Sequence, residues 1–227
     1  MPITLAGQTF DPEFTTASER YEEAGGRDAR IVVIDGVIAT QNTVAEIEEA
    51  LDLVLALASA EGEAALSLRP GRHLRVRRKK FTREVSAGRL TGAFTLTLEA
   101  PDPYEVADED QEVEWVVANA GALQALVTNG SAPAGLLISI VPTGDLVNPT
   151  IGDGVRTFTY LGTVVAGATL IIDAVDHRCL LDDVDVTPYT AGEFPVLPPD
   201  GATLVYLDHL SSTHSATITI SIRDRWW

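Results

Sequence analysis

Apolar positions along this chain change period twice, and each change predicts an element. Residues 1 to about 30 are polar with scattered apolar positions, broken at Asp11-Pro12 and Gly25-Gly26, and read as a loosely specified lead-in. Ile31 to Ile34 is a β-branched run ending at Asp35-Gly36, with Val37-Ile38 directly after, which predicts a strand, a tight turn and a second strand. Val44, Ile47, Leu51, Val54, Leu55 and Ala58 then recur at helical spacing. Thr43 and Glu46 have the spacing of a capping box, and Glu46, Glu48, Glu49 and Asp52 crowd the first turns, where the helix dipole favours anions. Together they predict one amphipathic helix over 43–59, ended at Glu61-Gly62 and packed on a sheet.

After the helix the period becomes two. Leu66 and Leu68, then Leu74 and Val76 alternating with Arg75 and Arg77, then Phe94, Leu96, Leu98 and Ala100 alternating with Thr95, Thr97 and Glu99, predict half-buried strands. Pro101-Asp102-Pro103-Tyr104 stops the last of them and the acidic stretch Glu105 to Glu114 follows, which places a domain boundary near residue 108. Beyond it the pattern is turn-punctuated β: Val113 to Ala118, Ala125 to Thr128, Leu136 to Val141, Thr157 to Leu161, Thr169 to Asp173, Leu204 to Leu207 and Ala216 to Arg223. The breaks between them include Asn129-Gly130, Thr143-Gly144-Asp145, Gly152-Asp153-Gly154 and Pro198-Pro199-Asp200-Gly201. The chain is therefore expected to be mainly β. A β-rich domain with one helix occupies 1–108 and a β-sandwich occupies 109–227. There is no internal repeat.

Charge changes the picture more than composition does. The 227 residues carry 16 Lys and Arg against 33 Asp and Glu, a formal net charge of −17, and such a chain is repelled by phosphate backbones unless its cations are concentrated. They are: Arg69, Arg72, Arg75, Arg77, Arg78, Lys79, Lys80, Arg83 and Arg89 fall in one stretch that contains only Glu84 as an opposing charge. Charge runs are usually solvated faces. Here the acidic remainder suggests a pairing code, in which the ribbon Arg72, Arg75, Arg77, Arg78, Lys79, Lys80 and Arg83 meets an acidic surface on a neighbouring subunit. No apolar stretch approaches the roughly 20 residues that span a bilayer, so no membrane insertion is expected, and no signal peptide is evident. The single cysteine, Cys179, can form no internal disulfide.

Candidate chemistry is sparse. No P-loop, dinucleotide fingerprint, zincin motif or nucleophile elbow is present, and His73, His177, His209 and His214 are dispersed. Asp176-His177-Arg178-Cys179 groups a carboxylate, an imidazole and a thiol. Strand alternation would put His177 and Cys179 on one face and Asp176 on the other, which reads as a strand end with a buried Cys179. The cluster Asp182, Asp183, Asp185 and the looser set Asp145, Asn148, Asp153 lack an EF-hand pattern and read as loop carboxylates. No enzyme activity, cofactor or metal is expected. The terminal Arg223-Asp224-Arg225-Trp226-Trp227 reads as a packing lock for the last strand.

The ordered set Asn129-Gly130, Ile138 to Val141, Asn148-Pro149-Thr150-Ile151, Phe158 with Gly162, Gly167 with Leu170-Ile171-Ile172-Asp173, Arg178, Phe194 to Gly201 and a closing Arg225-Trp226 resembles the C-terminal domain of distal tail proteins of long-tailed, non-contractile bacteriophages. The first half also fits, through its strands, its single helix and the Ala100-Pro101-Asp102-Pro103-Tyr104 segment. The resemblance implies a ring-forming N-terminal domain and a galectin-like sandwich outside it, assembled as a homo-hexamer at the virion tail tip. Such a ring joins the tail tube protein to the tail-associated or tip protein and serves as a hub for receptor-binding proteins. DNA passes through its channel without specific binding, and an acidic wall would ease that passage. Two departures stand out: Pro199-Asp200-Gly201 replaces the family's usual Pro-Gly turn, and the sandwich has no room for a host-recognising insertion. A carbohydrate-binding sandwich module is the alternative, with Trp115, Trp226 and Trp227 as candidate stacking platforms; a cell-wall hydrolase is the third reading.

Overall fold

The computed structural model describes residues 2–24, 27–39, 41, 43–58 and 62–227. Its internal contacts divide the chain into two compact units, Met1–Asp108 with Trp227, and Glu109–Trp226.

The first unit comprises β1 (Ile3–Leu5), β2 (Gln8–Phe10), β3 (Thr15–Ala24), β4 (Arg27–Ile38), α1 (Val44–Leu57), β5 (Ala64–Arg69), β6 (Arg72–Ser86), β7 (Thr91–Ala100) and β8 (Glu105–Ala107). Its antiparallel sheet runs β2-β1-β5-β6-β7-β4-β3, with β8 on β6. The apolar alternation foreseen for β7 is observed: Phe94, Leu96, Leu98 and Ala100 are buried, as are Val32, Ile34, Leu66, Leu74 and Val76 on its neighbours. Ile47, Leu51 and Val54 of α1 close that core from above. Each such side chain contributes roughly 1.5–3 kcal/mol on burial. Thr43 caps the helix, its hydroxyl accepting from Glu46 N at 3.2 Å.

Three expectations need correction. The lead-in is structured, because Ile3 and Leu5 enter the core beside β5 and the polar β3 is held along its length by β4. β5 is remote from β1 and β3 itself is polar, so no local period announces them. Asp35-Gly36 is not a turn either, since β4 runs straight through it. Gly36 lies under Phe94, whose ring a Cβ there would meet at 2.3 Å, so the glycine makes room for an aromatic and does not reverse the chain. Finally, α1 ends at Leu57, with Ala58 at its C-cap, two residues short of the expected end. Gly25-Gly26 and Glu61 lie outside the described residues.

The second unit comprises β9 (Gln111–Val117), β10 (Leu123–Leu126), β11 (Ala134–Pro142), β12 (Leu146–Val147), β13 (Thr150–Gly152), β14 (Thr157–Tyr160), β15 (Thr163–Val164), β16 (Leu170–Asp173), β17 (Arg178–Leu181), β18 (Val184–Asp185), β19 (Thr190–Gly192), β20 (Val196–Leu197), β21 (Ala202–Leu207), β22 (Ala216–Ile222) and β23 (Arg225–Trp226). Two sheets, β18-β17-β16-β11-β22-β9 with β20 on β11, and β10-β21-β13-β14-β19, contribute to one core. The register on the first sheet sets Leu136 opposite Ile222, Ile138 opposite Ile220 and Ile140 opposite Ile218, all buried. Trp115 from one sheet meets Tyr206 of the other edge-on, with ring centroids 6.5 Å apart. The seven strands foreseen in this half are all present. The additional strands of two to four residues are too short to carry a period.

The closing segment is tied to an internal turn. Buried Asp224 accepts from Gln111 Nε2 at 2.6 Å, Thr128 Oγ1 at 2.5 Å, and both the backbone and side-chain nitrogens of Asn129 at 3.3 Å. Trp226 Nε1 donates to Asn129 O at 3.1 Å. Gly130 is required there, because a Cβ would stand 2.3 Å from Arg225 O. No described helix is long and apolar enough to cross a membrane.

Candidate subunit interface

The basic stretch forms β6, fifteen residues with seven cations and one acid, together with Arg69 at the end of β5 and Arg89 beyond β6. Strand β5 covers one side of β6 over Arg72 to Val76. Among the described residues, the ladder of β6 from Arg77 to Ser86 is with β7 alone. At the end of the same sheet, β3 pairs only with β4 among the described residues. These two stretches are thus one-sided in their strand pairing among the described residues. Because every neighbouring pair is antiparallel, β3 and β6 run in opposite directions.

A bulge at Arg78–Lys80 sorts the side chains of β6. Leu74 and Val76 before it and Phe81 and Val85 after it pack on the core. Alternation then places Arg75, Arg77, Lys80, Thr82 and Glu84 on the face away from α1. Ladder pairing builds that face in rows: Arg77, Glu99, Ile31 and Arg20; then Lys80, Thr97, Val33 and Ser18; then Thr82, Thr95, Asp35 and Thr16; then Glu84, Ala93 and Val37. Arg77 Nε lies 3.3 Å from Glu99 Oε2, and Thr95 Oγ1 donates to Asp35 Oδ1 at 2.6 Å. Ile31, between Glu99 and Arg20, is fully shielded. The face is banded, with cations at one end and carboxylates at the other, and is not uniformly acidic.

The other expected interface residues have different surroundings. Arg72 turns inward, its Nε 2.8 Å from Glu105 Oε2. Arg83 pairs with Asp52 on α1. Arg78 and Lys79 sit at the bulge, exposed. The apparent lack of opposing charge was a property of the sequence neighbourhood: in space Glu19, Glu99, Glu105 and Asp52 all face this ribbon.

Sequence reasoning missed the centre of that network, Arg30. It is 1% exposed, and its guanidinium bonds Glu19 (Nε to Oε2, 2.8 Å), Glu105 Oε1 (3.0 Å) and Pro103 O (3.3 Å), with the Tyr21 ring centroid 5.8 Å from its Cζ. Arg69 also bonds Glu105. Three guanidiniums thus enclose two carboxylates, one of them, Glu105, only 2% exposed. The only local signal was an arginine at the head of the Ile31 to Ile34 run; its partners lie 11 and 75 residues away.

In the second unit the candidate clusters resolve into loop anchors. His177 sits in a turn at positive φ and meets Phe194 edge-on, so it does not share a strand face with Cys179, and that expectation is corrected. Burial, reinforced by the charge of Asp185, pushes the Cys179 thiol up to about 12. Asp182 accepts from Thr169 N and Asp145 from Ala166 N. Asp153 accepts from the N–H groups of Val155, Arg156 and Val196. Burial alone would raise its pKa, but those bonds and the Arg156 guanidinium outweigh it and hold the carboxyl below its ordinary value. Among the described residues no group of three or more His, Cys, Asp or Glu is arranged to hold a metal. Trp115 is buried and offers no stacking surface to a sugar.

No protein-family model matches this chain, and no curated protein matches it. A solved structure does: the SPP1 Dit (gp 19.1) protein, described as a paradigm of hub adsorption apparatus in Gram-positive infecting phages. The two superpose with a TM-score of 0.72 at 14% sequence identity, covering 100% of this chain and 99% of that one. From end to end, this chain has the fold of a phage Dit protein.

Proposed function

We propose that the protein is a structural, non-enzymatic hub of a phage tail tip. It closes as a homo-hexameric ring in the virion, joins the tail tube protein to the tail-associated or tip protein, and carries receptor-binding proteins of the host-adsorption apparatus. The carrying observation is that, among the described residues, β3 pairs only with β4 and the Arg77–Ser86 stretch of β6 only with β7. Antiparallel β3 and β6 can pair between copies and continue the alternation, as β-strand addition does. Their charges complement: β3 reads TTASERYEEA, with three acids and one cation, whereas β6 carries seven cations and one acid. A repeated edge-to-edge contact of this kind is heterologous, the type of contact that builds a ring when its rotation closes. The helix-bearing face lies outside, because α1 would fill a lumen, and the banded face lines the channel. The full-length likeness to a Dit protein supports the same reading, by analogy of fold.

Mass measurement and negative-stain imaging of the purified protein test it. A hexameric ring is expected; a monomer at high concentration would overturn the reading. Arg78→Glu with Lys79→Glu, at the bulge of β6, should give folded monomers, and rings of unchanged mass would remove β6 from the seam.

A further inference from the structure

The channel-facing assignment rests on the ring just proposed; what the face itself can bind follows from its chemistry. Its cationic end presents Arg20, Arg75, Arg77 and Lys80, all exposed, with Glu99 beside Arg77. Next come the hydroxyls of Ser18, Thr97, Thr82, Thr95 and Thr16. Asp35 and Glu84 occupy the opposite end, where Glu13 also lies. Arginines, lysines and hydroxyls are the side chains that contact phosphate and sugar, whereas reading bases takes amides, aromatic platforms or bidentate forks inserted into a groove. No aromatic residue stands in these rows. An acidic protein partner would be expected to find apolar anchors at the contact, and the cationic rows offer only half-buried Val33 and shielded Ile31.

We infer that the Arg20–Arg77–Lys80 end of the face away from α1 is a contact surface for the phosphate backbone of duplex DNA, independent of base sequence. The acidic end of the same face repels the duplex, so contact is confined to the two adjacent cationic rungs. In a ring those rungs become a belt through which DNA slides, held weakly because the chain as a whole carries −17. This replaces a channel that merely repels DNA with one that repels along most of its length and grips at one level.

The test is fluorescence anisotropy of two short labelled duplexes of unrelated sequence with the purified protein, across a salt series starting at about 20 mM. Equal binding of both duplexes is expected, with affinity falling steeply as salt rises. Arg20→Ala/Arg77→Ala/Lys80→Ala should weaken binding by roughly tenfold or more. Lys80→Gln alone, an exposed and conservative change, should lower the salt slope by about one per contacting copy. Arg156→Ala with Arg178→Ala, in the second unit, should change nothing. Undetectable binding at the lowest salt, unchanged binding by the triple variant, or equal affinity for poly-glutamate would each overturn the assignment. Mass measured on the same samples keeps the two readings apart: a monomer whose DNA binding depends on these three residues sinks the ring and retains the surface, and a hexamer that ignores DNA does the reverse.

Discussion

Carboxylates do different work in the two units. In the first, Glu19, Glu99, Glu105 and Asp52 meet guanidiniums, across strands or from helix to strand. In the second, Asp145, Asp153, Asp182 and Asp224 chiefly accept backbone N–H and neutral side-chain donors and fasten loops to the sandwich. The strands differ in the same sense. The sandwich closes two sheets over one core, whereas among the described residues of the first unit β3 and the Arg77–Ser86 stretch of β6 are paired on one side. A charge bonded to its own backbone is withdrawn from intermolecular use; a charge paired on a free strand can exchange partners. The second unit is thus a self-contained scaffold, and the first has surfaces suited to assembly.

The largest expected effect that would break this contrast is at Glu105. Glu105→Ala leaves the buried Arg30 with only one of its two carboxylates and takes the shared partner from Arg69 and Arg72, and should destabilise the first unit by about 3–5 kcal/mol, as loss of a partner from a buried ion-pair cluster does. Hydrogen exchange in β3 and β4 should accelerate while β11 and β22 stay protected, and an unchanged pattern would show the cluster to be incidental. Next comes Ile220→Ala, in the centre of the sandwich register, at about 2–5 kcal/mol. Its effect should appear as a lower calorimetric transition of the second unit alone; a joint shift of both would deny their separateness.

Asp153 sharpens the comparison through pH. Its folded pKa lies below the unfolded one, so its stabilisation is fully present above the ordinary carboxylate pKa of 3.8 and is lost as pH falls through the lower folded value. Asp153→Asn should cost about 1 kcal/mol near neutrality and flatten the acid limb of unfolding. Equal acid limbs in the two proteins would contradict the anchor role. The smallest effect is a null one: with its thiol buried and pushed up to about 12, Cys179 should resist thiol reagents at mildly alkaline pH until the sandwich unfolds. Rapid labelling of the native protein would mean that the core opens.

How much of this was legible in the sequence follows the range of the interactions. Helix α1, β7 and the longer sandwich strands carry their own period and cap, and were readable because local pattern and tertiary burial agree. Strands β1 to β3 were not, since β1 joins the core beside the distant β5 and β3 is polar on both faces. Gly36 misled because a glycine that accommodates a remote ring looks like one that turns the chain. At the candidate interface the ribbon itself was visible, but its division among an inward Arg72, a helix-paired Arg83 and a face-forming Arg77 and Lys80 depends on the bulge and on Glu105, neither of which leaves a local trace.

The bulge has an evolutionary consequence. Lys79 is the extra residue of the bulge, since Arg78 faces Leu98 and Lys80 faces Thr97. Loss of that residue would leave every other pairing in phase, whereas loss of a paired residue from the stretch Lys80 to Ser86 would swap the two faces downstream of it, exposing Phe81 or Val85 and driving charges toward the core. The strand therefore has one position at which its length can vary between relatives without re-sorting its side chains, and insertions or deletions in this otherwise unforgiving hairpin should collect there.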